Sequence, residues 1–500
     1  MSSEKEINPE KAEEKETDKE KEEKLRMLGL EPSETAHGIN LKDGKLAYKA
    51  RVGVLPLKDD KGEIQAEIYF TSYEMNGVKD LSERPLTFAF NGGPGSSSVW
   101  LHMGALGPKR VVMKQEGWMP SPPYHLEDNE STWLKHTDLV FIDPVGTGFS
   151  RAAKKDLYQK FHSFDGDIES VGKFIQLYLS RFNRWSSPLF LAGESYGTTR
   201  AAGLAAALFG KGIAFNGIIL ISTALDLRPI MFRDDDDLPF QLFIPTYTAA
   251  AWYHKKLDKE LQSRDLPDLL AEVEVWVESE LTPALMKGDR ISDEESADIA
   301  DKLSRYSGLE KDYIVGSNLR IHQGRFRKEL LRSEKRSVGR LDSRFKGIEA
   351  VEVNDRPEFD PSMTSIKPPY TSMLNDYLRR ELGLDTDMSY EVMMDHDFIK
   401  NWKWEKGKLP STGEKLRLSM SVNPYMKVLV AQGYYDLATP LMATKYMVSH
   451  MNVDLKLKKN IQETYYHAGH MFYLDEKCLD SFSKDVHSFI EESCENPEVY

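Results

Sequence analysis

Cysteine is nearly missing from this sequence: there are two in 500 residues, Cys478 and Cys494, both near the C-terminus. Two thiols cannot staple a chain of this length, so its fold must rest on burial. A basic excess is missing too. Eighty Asp and Glu outnumber 66 Lys and Arg, leaving a formal net charge of −14 and arguing against a broad nucleic-acid footprint. Long apolar runs are also absent. The most apolar window, 203–222, is broken by Lys211 and Asn216 and falls short of the roughly 20 apolar residues that span a bilayer. The first thirty residues lack the apolar stretch of roughly 7–15 residues that a secretory signal needs. These absences predict a cytoplasmic protein with neither a nucleic-acid nor a membrane partner.

What is present is a globular balance, 40% hydrophobic and 29% charged. At roughly 100–200 residues per domain, the length implies several units or one large core carrying an insertion. Residues 1–30 hold ten acids and seven bases with almost no large apolar side chain before Leu25. Such a segment cannot bury enough surface to offset its ordering entropy, so 1–35 read as a disordered charged tail.

From about residue 45 the texture is strand-like, over 47–57, 66–75 and 85–90, with Asp-Lys-Gly and Asn-Gly turns between. Strands then alternate with helical stretches: DLVFI at 138–142, a helical period over 165–182, PLFLA at 188–192, a small-residue helix over 195–209, and GIILIS at 217–222. Buried strands alternating with helices predict an α/β fold with a mostly parallel sheet. From 226 to 420 the chain reads as helical and charged, with loops around 357–369. Strand texture returns at 427–432 and 455–457, before an amphipathic helix over 479–492. The expected organisation is a core in two parts, 36–225 and 421–500, interrupted by a helical cap insertion over 226–420.

Gly193-Glu194-Ser195-Tyr196-Gly197 follows the strand PLFLA directly and opens a small-residue helix. A G-x-S-x-G turn in that context presents the serine hydroxyl at a helix N-terminus, where the dipole favours a developing oxyanion. A serine needs a base, and the base an orienting carboxylate. Asp436 follows the returning strand, and His470 lies just before the last helix, so Ser195, Asp436 and His470 run in the order nucleophile, acid, base. His467 is a rival base; the glycine immediately before His470 favours the latter. A second glycine cluster, NGGPGSSS from Asn91 to Ser98, follows the strand at 85–90. No Gly-Lys-[Ser/Thr] follows it, which argues against a phosphate loop and leaves a tight turn or an oxyanion-hole amide.

NGGPGSSS, GESYG, GYYDLATP and AGHM, in that order, together with TDLVFIDPVGTGFSR, resemble the serine carboxypeptidase family, over about residues 36–492. Ser96 stands where many members have cysteine, which is similar to the bacterial-type branch. The resemblance implies an α/β-hydrolase fold with N-terminal antiparallel strands and a large helical cap. It further implies a peptide substrate with a free C-terminus, cleaved through an acyl-enzyme on Ser195, with Asp436 and His470 completing the triad. The amides of Gly93 and Tyr196 would form the oxyanion hole, and Asn91 and Glu194 would bind the substrate carboxylate. By analogy with relatives a homodimer is implied. One departure stands out: the stretch Val99-Trp100-Leu101-His102-Met103-Gly104-Ala105-Leu106-Gly107 lacks the second glutamate that members carry there. A basic group such as His102 or Arg110 is the expected substitute. The departure also keeps an esterase or acyltransferase in view, and a catalytically inactive binding protein behind those.

Tyr247, Trp252 and Tyr253 read first as cap core and second as a pocket lining. The run 234–237 reads as a solvated turn, since it lacks the spaced ligands of a calcium loop. No H-E-x-x-H occurs, and two histidines three apart in a loop are weak evidence for zinc. No metal and no cofactor are expected.

Overall fold

The computed structural model describes residues 30–495 except 31, 43, 395–401 and 405–408. The predicted disordered tail therefore lies almost wholly outside the described residues. Its last part does not: Ser33–Leu41 form strand β1, paired antiparallel with β2 (Gly44–Lys58), which pairs antiparallel with β3 (Ile64–Met75). The core thus begins a few residues before the expected boundary at 36.

Six further strands complete the main sheet: β4 (Leu86–Phe90), β5 (Asp138–Ile142), β6 (Leu189–Glu194), β7 (Gly217–Ile221), β8 (Lys427–Gly433) and β9 (Ile461–Tyr466). Their order is β1-β2-β3-β5-β4-β6-β7-β8-β9, with the short strand Arg151–Ala152 also paired to β3. From β5 to β9 all neighbours are parallel. The predicted α/β-hydrolase architecture, antiparallel at its start and parallel beyond, is the one observed. The strand expected at 455–457 is a correction. That segment is a turn, and the strand lies a few residues on in β9, whose mixed IQETYY pattern on the sheet edge carries little apolar signal.

The central strands are buried along their whole length, and successive side chains serve opposite faces. Ile219 and Ile221 join Leu479, Phe482, Val486 and Phe489 of helix α9 (Glu476–Cys494). Ile218 and Leu220 join α1 (Phe164–Arg181) and α2 (Tyr196–Phe209). Burying apolar surface at roughly 25 cal/mol per Å² on both faces is the main stabilisation of such a sheet. Helix α1 is set by local chemistry: Ser163 caps it by accepting from Gly166 N, Asp165 and Asp167 occupy the first turn, and Arg181 the last.

The insertion is less uniform than its charge suggests. Helices α3 (Ile244–Tyr253), α4 (Leu266–Trp276) and α5 (Asp293–Ser307) share their own apolar cluster. By contrast, α6 (Pro361–Arg380) buries Ile366, Tyr370, Leu374 and Tyr377 on the main sheet. Helix α7 (Gly413–Val422) buries Leu416 and Met420 against the other face. The cap-like unit is therefore narrower than 226–420. The loops expected around 357–369 hold only as far as 360, because α6 starts at Pro361 and runs through Pro368 and Pro369. A helix-interior proline costs about 3 kcal/mol; burial of the α6 apolar face offsets it. Helix α8 (Leu441–Ser449) follows the acid loop.

Candidate active site

Strand order decides where a site can form. The chain leaves β4 to one side for β5 and returns on the other for β6, so the crevice at the C-terminal end of β4 is a topological switch point. Phe90 of β4 is level with Gly193 of β6, and Glu194, Ile221 and Ala431 are level across β6, β7 and β8. The glycine-rich turn, the serine turn and the acid loop thus leave the same edge of the sheet.

Ser195 has φ 59° and ψ −127°, a strained conformation for a residue with a side chain and one that costs on the order of 1–3 kcal/mol. The surroundings hold it there. Its N–H donates to Ile221 O at 2.9 Å. A Cβ on Gly193 would lie 2.2 Å from Gly197 O, so the turn closes only with glycine there. From 189 to 205 every residue is buried except Ser195. The turn therefore presents one hydroxyl to solvent and nothing else.

Asp436 is fully buried and accepts at both carboxylate oxygens. Oδ1 takes the amides of Ala438 (2.7 Å) and Thr439 (3.0 Å); Oδ2 takes Thr439 Oγ1 (2.6 Å), Gln432 Nε2 (3.3 Å) and His470 Nδ1 (2.7 Å). An ionised carboxylate only accepts, so His470 Nδ1 carries its hydrogen and Nε2 is left as a base. Burial disfavours the charged His470 ring, but the Asp436 carboxylate outweighs it and raises the His470 pKa. Ser222 Oγ donates to His470 O at 2.6 Å. The serine and histidine loops thus hang from consecutive residues, Ile221 and Ser222, at one strand end.

His467 does not join this group. Its ring packs edge-on against Tyr434 and lines a cavity of about 760 Å³ whose lining includes none of Ser195, Asp436 and His470. Burial lowers its pKa.

The amides of Gly93 and Tyr196 have no hydrogen-bond acceptor among the described residues, and Tyr196 opens α2, where the helix dipole favours negative charge. The two turns are in van der Waals contact: a Cβ on Gly92 would lie 2.4 Å from Tyr196 N. Arg200, fully buried, locks them together by donating to Asn91 O at 2.7 Å and to Asp167 Oδ2 at 2.8 Å. Sequence reasoning passed over Arg200; its only signal was a lone charge in a helix of small residues.

Asn91 and Glu194 do come together, though as partners of each other. Asn91 Nδ2 donates to Glu194 Oε1 at 2.9 Å, while its Oδ1 accepts from Leu101 N at 3.1 Å. Tyr473 OH donates to Glu194 Oε2 at 2.5 Å. Asn91 is fully buried and Glu194 is 3% exposed, so one of the two Asn91 amide hydrogens is committed to orienting Glu194. Burial pushes the Glu194 carboxyl up to about 7, against the lowering pull of His470, Tyr473 and Asn91. Tyr473, missed in the sequence, is thus the neutral partner of Glu194.

The basic substitutes expected for the missing glutamate are corrected. His102 is buried, stacks on Phe141 and bonds Tyr73 OH at 2.6 Å; burial lowers its pKa to about 3, so it carries no charge. Arg110 is paired with Glu127 and Glu476. Tyr247 is cap core, stacked on Phe326 and donating to Ile321 O; Trp252 donates to Arg264 O and Tyr253 to Glu116. Arginines pair Asp235, Asp236 and Asp237. Among the described residues no group of three or more His, Cys, Asp or Glu could hold a metal ion, and no helix is long and apolar enough to cross a membrane.

Residues 43–232 match the sequence profile of the serine carboxypeptidases. Pheromone-processing carboxypeptidase KEX1 of Saccharomyces cerevisiae is 33% identical over 155 residues, 29% of this chain and 20% of that protein. Serine carboxypeptidase-like 11 of Arabidopsis thaliana is 29% identical over 213 residues, 40% of this chain and 45% of that protein. The chain thus matches less than half the length of either relative. The crystal structure of Kex1(delta)p, a prohormone-processing carboxypeptidase from Saccharomyces cerevisiae, superposes with a TM-score of 0.52 at 18% identity, covering 88% of this chain and 91% of that one. That likeness carries the fold. The resemblance to serine carboxypeptidases read from the motifs is borne out.

Proposed function

From its similarity to the serine carboxypeptidases, we propose that this chain is a serine hydrolase that cleaves the C-terminal peptide bond of peptides through an acyl-enzyme on Ser195. The observation that carries the proposal is the 2.7 Å bond from His470 to Asp436, held at the sheet edge where Ser195 is presented by its strained turn. His470 Nε2 takes the Ser195 proton as Oγ attacks the carbonyl carbon. The oxyanion is held by the amides of Gly93 and Tyr196, the C–N bond breaks, and His470 returns the proton to the departing amine. Water, deprotonated by His470, then hydrolyses the ester and frees Ser195.

Glu194 is the proposed reader of the substrate's carboxylate. Two carboxylates at hydrogen-bond distance repel unless they share a proton, and a Glu194 pKa near 7 supplies that proton on the acidic side of neutrality. The spending of Asn91 and Tyr473 on Glu194 also favours a second reading, an esterase or acyltransferase with the same triad, because fewer donors remain for a free carboxylate. A cytoplasmic site of action belongs to the proposal, supported by two unpaired thiols, Cys478 and Cys494. So do the absence of nucleic-acid partners and the homodimer.

The test compares wild type with Ser195→Ala on a blocked dipeptide, as free acid and as amide, and on an aryl ester. Ser195-dependent cleavage of the free acid in preference to the amide is expected. Turnover of the ester alone would retire the carboxypeptidase and keep the hydrolase. Failure of a fluorophosphonate to label Ser195 in the folded protein would leave the binding-protein reading.

A further inference from the structure

The acid and base loops are both gripped by one loop of the insertion. Two short strands, Arg336–Val338 and Lys346–Ile348, pair as a hairpin, and its loop 339–345 reaches back onto the site. On the acid side, Leu437 N donates to Arg340 O at 3.0 Å and Ser343 N to Tyr435 O at 2.9 Å, one bond on each side of Asp436. On the base side, His470 N donates to Leu341 O at 2.5 Å, Gly469 N to Asp342 Oδ2 at 2.9 Å, and Arg344 Nη1 to His467 O at 3.0 Å. The approach is so close that a Cβ on Gly469 would lie 2.4 Å from Leu341 O and 2.5 Å from Asp342 Cα.

The grip is itself braced. Asp342 and Arg344 form a buried pair, with Nε at 3.0 and 3.1 Å and Nη2 at 2.7 Å from the carboxylate. The Arg344 guanidinium lies 5.6 Å over the Tyr435 ring. His254, at the end of α3, donates to Ser343 O at 2.7 Å, and Trp118 stacks on Phe345 with ring centroids 4.4 Å apart. A buried pair of this kind contributes little net stability when both partners are present. What it supplies here is geometry, since its carboxylate ends on an amide adjacent to His470.

We propose that the loop 339–345 is a clasp that sets the Asp436–His470 register, with Asp342 and Arg344 as its positioning residues. The inference rests on the triad reading above. It assigns the insertion a task in the site: the two loops leave different strands, β8 and β9, and the clasp bonds residues of both. Asp342 accepts from the Gly469 amide and Arg344 donates to His467 O, both in the base loop, and Arg344 also lies over the ring of Tyr435 beside Asp436, so each acts through residues next to the catalytic pair.

The test uses the full chain with Asp342→Ala, Asp342→Asn and Arg344→Lys. The readouts are the rate of fluorophosphonate inactivation against pH, scaled to the fraction of labelled sites, and the melting temperature. For Asp342→Ala the rate per active molecule should fall at least tenfold. The apparent pKa of the base limb should move down, because His470 loses part of the carboxylate contact that raises it. Asp342→Asn retains an oxygen for Gly469 N–H and should recover part of the rate. Arg344→Lys keeps a charge beside Asp342, loses the bond to His467 O, and should fall between. A lower melting temperature with rate and pH limb per active molecule unchanged would overturn the clasp and leave the triad standing. The low-field NMR signal of the His470 Nδ1 hydrogen reads the clasp without turnover. Should wild type resist the reagent, the triad reading fails on its own. A signal unaltered in Asp342→Ala then overturns the clasp, and its loss or shift supports it.

Discussion

Replacing Tyr473 by phenylalanine tests how Glu194 reads a carboxylate. The phenol donates to Glu194 Oε2 at 2.5 Å in a site where Glu194 is almost sealed from solvent. Burial holds the Tyr473 phenol far above its usual pKa, so it remains a donor at every working pH and stabilises the ionised carboxylate. A hydrogen bond to a charged group is worth about 1.5–3 kcal/mol, and about 1.4 kcal/mol corresponds to one pKa unit. Losing the hydroxyl should therefore lift Glu194 roughly one to two units above its value of about 7. The ring that packs against Gly104 and Phe472 is retained, so the change is close to one of charge balance alone. The assay is kcat/KM from pH 5 to 9 on a blocked dipeptide with a free C-terminus, beside its amide. Wild type should lose the free acid as pH rises through about 7, when Glu194 ionises and repels it. Tyr473→Phe should hold that activity into the pH 8 range, with no matching extension in the amide profile. Superimposed free-acid profiles, or a shift toward acid, would refute the account of Glu194.

Two further outcomes follow from the same geometry. Asp436→Asn should lower kcat by about 10⁴-fold, as expected when an orienting carboxylate becomes an amide and the wrong imidazole tautomer is favoured. Its pH–rate base limb should also move down, because His470 loses the charge that raises it; a stopped-flow pH series on the ester checks both. Gly92→Ala would place a Cβ 2.4 Å from Tyr196 N and 2.7 Å from Glu194 O, both backbone atoms that cannot swing aside. Fluorophosphonate labelling should fall about 10²–10³-fold, the worth of one oxyanion donor, and an unchanged rate would show that the Tyr196 amide is not used.

Much of the core was legible because its determinants are local. DLVFI at 138–142 reads as a buried strand from composition alone, and it is β5 from its first residue to its last. The serine turn was legible for the same reason, since two close-packed glycines, a preceding apolar strand and a following small-residue helix all lie within about twenty residues. Where local signal and environment disagreed, local signal misled. Pro368 and Pro369 suggested loops, yet α6 tolerates them because its apolar face is buried on the sheet. Edge strand β9 has little alternation to show, and the apolar residues at 455–457 mimic a strand instead.

The chain by itself determined the parallel sheet, the strained presentation of Ser195, and the identity of the acid and base expected to serve it. Each follows from residue type and periodicity over short stretches, because backbone sterics and side-chain burial act at that range. The tertiary structure alone decided what those residues do to one another. Asn91 and Tyr473 meet Glu194 from 103 and 279 residues away in sequence, and Asp342 meets Gly469 across 127. His102 and Arg110, plausible as charges on paper, are withdrawn by burial and by two glutamates. Protonation and donor availability depend on burial and on partners brought together by strand order, and no stretch of sequence a few residues long carries that information.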